Sequence, residues 1–224
     1  SILIVQTGIP VARMELLDDV QMGACISYSK LEGYEEKPTI FFEFHGTETG
    51  AKEQAEAVQA IAEEFGGSAF QWTSKMEDRN KLWQARHDAY YAAIALRSGC
   101  QGWATDVCVP VSRLAECINE TKDDLEKTGL ISPLVGHVGD GNFHMLYIVD
   151  PNNQEEMAKA QAHSDRMVMR ALEMGGTCTG EHGVGYGKIH FLTNEHGDAM
   201  SLMRSLKTAF DPDNIMNPGK IVNI

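Results

Sequence analysis

The sequence predicts an α+β fold in which helices cover one face of an antiparallel sheet. Two observations carry that prediction. In Leu134–Val149 two apolar runs flank Gly139-Asp140-Gly141-Asn142, and Asp-Gly between such runs marks a tight hairpin. Elsewhere β-rich segments alternate with amphipathic helical ones, a pattern that alone fits a doubly wound parallel sheet. The hairpin demands antiparallel pairing, so the layered alternative is favoured.

The elements follow in order. Residues 1–9 read as the end of a helix or a short strand, closed by Pro10, and Val11–Leu17 reads as a strand before a short helix from about Asp18 to Lys30. Thr39–Gly46 has aromatic residues on both faces, which predicts a central strand. Glu43 within it needs a partner, and an edge pairing with Arg or Lys is favoured over a functional role. Residues 48–65 repeat Ala, Val and Ile at helical spacing and stop at Gly66-Gly67. A short strand is expected at 69–73 and a long helix at 76–97, where Trp83, Arg86 and Tyr90 fall on one face. Trp103–Pro110 reads as a strand, Ser112 as the cap of a helix reaching about Lys127, and 154–173 as a helix with Met157, Ala160, Met167 and Ala171 inward. A glycine-rich segment at 175–188, a helix near 195–209 and a polar tail complete the chain.

Composition narrows the function classes. Nineteen basic against 32 acidic residues give a net charge of −13, whose field repels phosphate backbones and anionic membranes, so nucleic acid is not an expected partner. The five cysteines form no CxxC pair and read as reduced thiols of a cytosolic-type compartment. No apolar run reaches the roughly 18 residues of a membrane span. The chain opens without Met inside an apolar element, which reads as a piece of a longer polypeptide.

The chemistry concentrates on the hairpin. With Asp140 and Gly141 as a two-residue loop, His137 faces His144 directly across the strands, close enough for two imidazoles to meet one ion. Glu181, in Gly180-Glu181-His182-Gly183, is the candidate third ligand. Two imidazoles and a carboxylate suit zinc or manganese and leave positions open for water or substrate. An imidazole can exchange a proton near neutral pH, and His182 is the candidate general base beside such an ion. The histidines can instead be buried and hydrogen-bonded structural residues, and Arg86 can be a salt-bridged structural residue or an anchor for a substrate anion. The glycine run fits neither GxGxxG nor the phosphate-binding P-loop. A flavin-independent metal-dependent hydrolase and a non-catalytic packing module therefore stand beside any redox reading.

Three stretches then converge on a known family. Gly136-His137-Val138-Gly139-Asp140-Gly141-Asn142-Phe143-His144, Gly176–Gly185 and Asp211–Lys220 together resemble the C-terminal substrate domain of FAD-linked D-2-hydroxyacid dehydrogenases. The resemblance is greatest to the cytochrome-reducing D-lactate dehydrogenases, with the glycolate oxidase flavin subunit and D-2-hydroxyglutarate dehydrogenase as relatives. It spans essentially the whole chain, including Ala12-Arg13-Met14-Glu15 and Trp83-Gln84-Ala85-Arg86.

The resemblance implies metal binding by His137, His144 and Glu181, with His182 as catalytic base and Arg86 on the substrate carboxylate. It places Asn217 near the flavin. It implies a sheet of two duplicated ferredoxin-like halves, FAD bound mainly by an N-terminal domain outside residues 1–224, and a divalent zinc or manganese ion. It also implies a small D-2-hydroxy acid as substrate and an acceptor protein, quinone or cytochrome for the electrons. The expected compartment is the cytoplasm or inner-membrane periphery in a bacterium and the mitochondrion in a eukaryote; whether the chain forms a homodimer is left open. On this expectation residues 1–224 alone bind FAD poorly and are inactive, and strong flavin absorbance in the purified fragment would refute that. Leu146, Ala104 and Thr105 stand where the hydroxyglutarate branch carries polar groups, which disfavours a second substrate carboxylate and favours a short acid such as D-lactate.

Overall fold

The computed structural model describes residues 1–224. A six-stranded antiparallel sheet carries the fold. Strand β1 (Val11–Leu17) lies between β2 (Thr39–Phe44) and β5 (Leu134–His137). Next comes β6 (Asn142–Val149), whose far edge takes both β3 (Gln101–Ala104) and β4 (Val107–Cys108). No helix is long and apolar enough to cross a membrane.

Helices cover both faces, which corrects the single-faced expectation. Alternation along the strands puts Glu15, Leu17, Val135, His137, His144, Leu146 and Ile148 on one face. Met14, Leu16, Leu134, Phe143, Met145 and Tyr147 point to the other. On the first face Leu17, Phe41 and Val135 pack against α2 (Asp19–Ser29), α4 (Met76–His87) and α5 (Ala89–Ile94), through Met22, Cys25, Trp83 and Ala89. Leu146 and Ile148 meet Ala93 of α5. On the second face α3 (Glu48–Glu64), α6 (Leu114–Glu126) and α7 (Gln154–Glu173) contribute Val58, Cys117, Ala160, Met167 and Ala171 to the main core. The physical reason stands in β6, which is buried at every position and reads as an uninterrupted apolar run apart from Asn142 and His144. Such runs mark a strand covered on both sides.

Several boundaries differ from the sequence reading. Strand β2 is an edge strand rather than a central one, its aromatics being shared between the faces: Phe41 is buried on one, and Phe42 packs with Phe44 and Phe70 on the other. Glu43 makes the expected edge ion pair, with Arg13 directly opposite at 2.9 Å. Residues 69–73 form no strand, and Ala69 takes a left-handed backbone with φ of 55°. The 76–97 helix breaks at Asp88, so Tyr90 turns away to donate to the Gly102 carbonyl at 3.1 Å, and Arg13 is the cation over the Trp83 ring. The 103–110 strand breaks at Thr105-Asp106, between β3 and β4. Ser112 lies in a 3₁₀ turn rather than capping α6, and the last predicted helix divides at Gly197 into Leu192–His196 and Ala199–Phe210.

The hairpin turn is four residues long, not two. His137 is opposite Asn142, and His144 is opposite Val135. Val138 causes the shift: its amide donates to the Met14 carbonyl of β1 at 3.0 Å, and its side chain is buried in the core, so it continues β5 toward β1 instead of pairing with β6. A shift of two residues preserves the face, and both histidines remain on the same side of the sheet.

Candidate metal centre

Strands β5 and β6 carry His137 and His144 with ring centroids 5.7 Å apart and planes nearly perpendicular. Each ring has its Nδ1 committed. His137 Nδ1 bonds the Glu15 carboxylate at 2.8 Å, and His144 Nδ1 bonds the Thr105 carbonyl at 2.8 Å. Both acceptors require hydrogen on Nδ1, which leaves each Nε2 with a free lone pair. The two Nε2 atoms point to Glu181 Oε1, at 3.4 Å from His137 and 3.0 Å from His144. One ligand atom from each of the three residues lies within 4.8 Å of the others, so the group can hold one metal ion. His144 is buried and Glu181 about half exposed, and the centre therefore opens on one side.

Glu181 arrives on the loop after α7, and buried Asp106 holds that loop. Asp106 is free to turn inward because the strand is broken beside it. Its carboxylate accepts from the Thr179 hydroxyl at 2.7 Å, Asn142 Nδ2 at 2.8 Å, the His182 amide at 3.0 Å and the Glu181 amide at 3.1 Å. Lys188 Nζ reaches the Asp106 carbonyl at 2.7 Å. Burial opposes the charged form, but these donors outweigh it and hold the Asp106 carboxyl far below the usual carboxylate range. Gly180 is required: a Cβ there would lie 2.0 Å from Asn142 Nδ2.

His182 reaches the same place from the loop. Its ring stacks on that of His144, centroids 5.0 Å apart and planes 10° from parallel, and its Nε2 is 3.5 Å from Glu181 Oε1. Arg86, on α4, bonds Glu15 through Nη2 at 2.9 Å, while its Nε is buried without a hydrogen-bond partner. Burial works against Glu15, but the bond to His137 and the charge of Arg86 keep its carboxyl below the ordinary range. The same Glu15 bond, acting against burial, raises the His137 pKa; burial lowers that of His144. Asn217 lies in the tail, where its carbonyl accepts from the Lys220 amide at 3.2 Å. That tail is fastened to the glycine-rich loop by the Ile221 amide on the Gly185 carbonyl at 3.1 Å and the Tyr186 hydroxyl on the Pro218 carbonyl at 3.3 Å.

The profile of the FAD linked oxidases, C-terminal domain, matches residues 2–221. The chain belongs to the FAD-linked oxidase family. Among relatives of this FAD-linked oxidase domain, a probable mitochondrial D-lactate dehydrogenase of Danio rerio is 48% identical, over 100% of this chain and 45% of that protein. A mitochondrial D-lactate dehydrogenase [cytochrome] of Arabidopsis thaliana is 43% identical, over 99% of this chain and 39% of that one. The chain thus spans less than half the length of these relatives. The solved structure of 4-ethylphenol oxidase from Gulosibacter chungangensis, in its isoeugenol complex, shares the fold at a TM-score of 0.67 and 13% identity, over 93% of this chain and 47% of that one.

Of the site residues expected in the FAD-linked oxidase domain, His137, His144, Glu181 and His182 meet in one small volume. Arg86 joins them through Glu15, and Asn217 is tied to their loop through the tail. Glu15 and Asp106 are the buried carboxylates behind the cluster that motif reading passed over. Sequence hinted only at the first, which shares a strand face with apolar Leu17.

Proposed function

We propose that this domain forms the metal and substrate side of a flavin-dependent D-2-hydroxyacid dehydrogenase that oxidises D-lactate, or a similarly short D-2-hydroxy acid, to the 2-oxo acid. The single observation that carries this reading is the convergence of two Nδ1-blocked imidazoles and one carboxylate beside a free imidazole, in a family of FAD-linked oxidases. The donor set suits zinc or manganese. The unpartnered Arg86 Nε and Asn142 Oδ1 are buried polar atoms of the kind a bound ligand satisfies.

When bound, a divalent ion supplies Lewis acidity and FAD supplies a hydride acceptor, chemistry that no side chain here provides. The chain's own residues do the rest. Arg86 pairs with the substrate carboxylate and fixes the acid's orientation. His182 takes the C2 hydroxyl proton on an imidazole nitrogen, its ring held against His144 while Asp106 fixes its backbone. Leu146 is buried on the same face as His144 and offers nothing to a second carboxylate, which favours a short acid. Asn217 is assigned to the flavin side, and FAD binding falls mainly to the portion of the longer relatives that residues 1–224 do not span. A cytochrome acceptor and a mitochondrial setting follow the name of the Arabidopsis thaliana relative. The sheet is read as two ferredoxin-like halves. Family membership removes the ground for a flavin-free hydrolase or a packing module.

The test is D-lactate-dependent dye reduction combined with metal analysis, both on the purified full-length protein that includes the flavin-binding portion. His137→Ala is expected to lose metal and turnover together; full turnover in that variant sinks the reading.

A further inference from the structure

We propose that Glu15 is a positioning residue that couples the metal ligand His137 to the anion anchor Arg86, so that occupancy of either site strengthens the other. The inference rests on the roles given above to His137 and Arg86, and adds the link between them.

The geometry is that of one carboxylate shared by two functional groups. Glu15 in β1 is the direct cross-strand neighbour of His137 in β5, so the register itself brings them together. One oxygen accepts from His137 Nδ1 at 2.8 Å and the other from Arg86 Nη2 at 2.9 Å. Glu15 is 7% exposed, so water does little to screen either contact. The nearby cation Arg13 is spent on Glu43 and the Trp83 ring. His144 provides an internal contrast: its Nδ1 is held by the Thr105 carbonyl, and the carboxylate beside that nitrogen, Asp106 at 3.8 Å, bonds the 179–182 loop rather than Arg86. Only one of the two imidazoles is wired to the anion anchor.

The direction of coupling follows from electrostatics. A carboxylate accepting from Nδ1–H makes Nε2 a stronger ligand, and Arg86 on the far oxygen draws that charge away. A bound carboxylate that neutralises Arg86 returns the charge of Glu15 to His137. Conversely, a cation on Nε2 draws density from the ring, tightens the Glu15–His137 bond and loosens Arg86 toward an incoming anion. Linkage makes the two effects equal in binding free energy.

A double-mutant cycle read by zinc affinity tests this without any turnover measurement. Metal-stripped protein is titrated with Zn²⁺ against a chromophoric chelator, as wild type, Glu15→Gln, Arg86→Gln and the double variant. Glu15→Gln is expected to weaken zinc binding about ten- to hundredfold, the usual cost of losing a carboxylate behind a ligating histidine. Arg86→Gln is expected to tighten it several-fold in the wild-type background and to have no effect beside Glu15→Gln. An equal Arg86 effect in both backgrounds overturns the proposal, because the guanidinium then acts by its direct field. Unchanged zinc affinity in Glu15→Gln, with binding abolished by His137→Ala, overturns it as well while leaving the metal reading intact. Undiminished zinc binding in His137→Ala removes the metal reading itself. If Glu15→Gln alone does not fold, the double variant leaves no guanidinium unpaired, and against Arg86→Gln it must show at least the same tenfold loss.

Discussion

The imidazole of His182 stacks on that of His144, with centroids 5.0 Å apart and planes 10° from parallel. One ring has its Nδ1 fixed to the Thr105 carbonyl; the other is about half exposed and is held through its backbone amide by Asp106. Stacking thus sets the half-exposed ring proposed as base against the buried ring proposed as ligand. His182→Ala is expected to lower turnover by roughly 10²- to 10⁴-fold, the usual worth of a general base, while bound metal stays at the wild-type level. Parallel loss of metal would reassign His182 to the ligand set, and undiminished turnover would end its role as base.

Arg86 presents a planar fork of which one arm is committed to Glu15. Lysine keeps the charge but not the fork. For Arg86→Lys the expectation is a rise in KM for D-lactate of about ten- to hundredfold, with a smaller fall in kcat, measured by steady-state dye reduction. A KM within twofold of wild type would place the substrate carboxylate elsewhere.

Gly180 packs against Asn142 and Asp106 so closely that a methyl group has no room: its Cβ would stand 2.0 Å from Asn142 Nδ2 and 3.0 Å from Asp106 Oδ1. Gly180→Ala must displace the loop that bears Glu181. Zinc affinity is expected to drop at least about tenfold, on the scale seen when groups supporting a ligand are disturbed. Wild-type affinity would mean that the Asp106 cradle does not position the ligand.

Away from the site, His163 is fully buried, with Tyr147 at Nδ1 and the Thr121 carbonyl at Nε2, 3.1 Å away. Burial pushes its pKa below the ordinary 6.5. The folded chain therefore holds a neutral ring, whereas the unfolded chain takes up a proton once pH falls below about 6.5. This contribution to stability is complete above that pH and is lost as pH descends toward the lowered folded value. Thermal unfolding between pH 7.5 and 5 should show Tm falling, and His163→Gln should flatten the slope. An unaltered slope would assign the acid sensitivity to other groups.

Much of this was legible in the residues, and the failures have identifiable causes. The helix at 154–173 and the strand at 11–17 match the structure residue for residue, because each has a clear boundary: Asn153 caps the helix, and Pro10 precedes the strand. The hairpin register came out two residues wrong: Asp-Gly promised a two-residue turn, but Val138 gains more by joining the core and bonding Met14. The direct pairing of His137 with His144 was lost, since they stand opposite Asn142 and Val135, but the error was even and both side chains stayed on one face of the sheet. The 103–110 strand hid its break because Thr105 and Asp106 look like ordinary strand residues until their long-range partners are known. Local pattern singled out the three side chains that cluster, whereas the carboxylates behind them are defined by contacts 36 to 122 residues apart in sequence.

The consecutive amides of Glu181 and His182 both end on Asp106. On the roles proposed for Glu181 and His182, grip on the cation and removal of the proton are yoked: any drift of that loop spoils both at once. A change of acid is then expected to come through Leu146, which lies on the same strand face as His144 but makes no bond to Asp106.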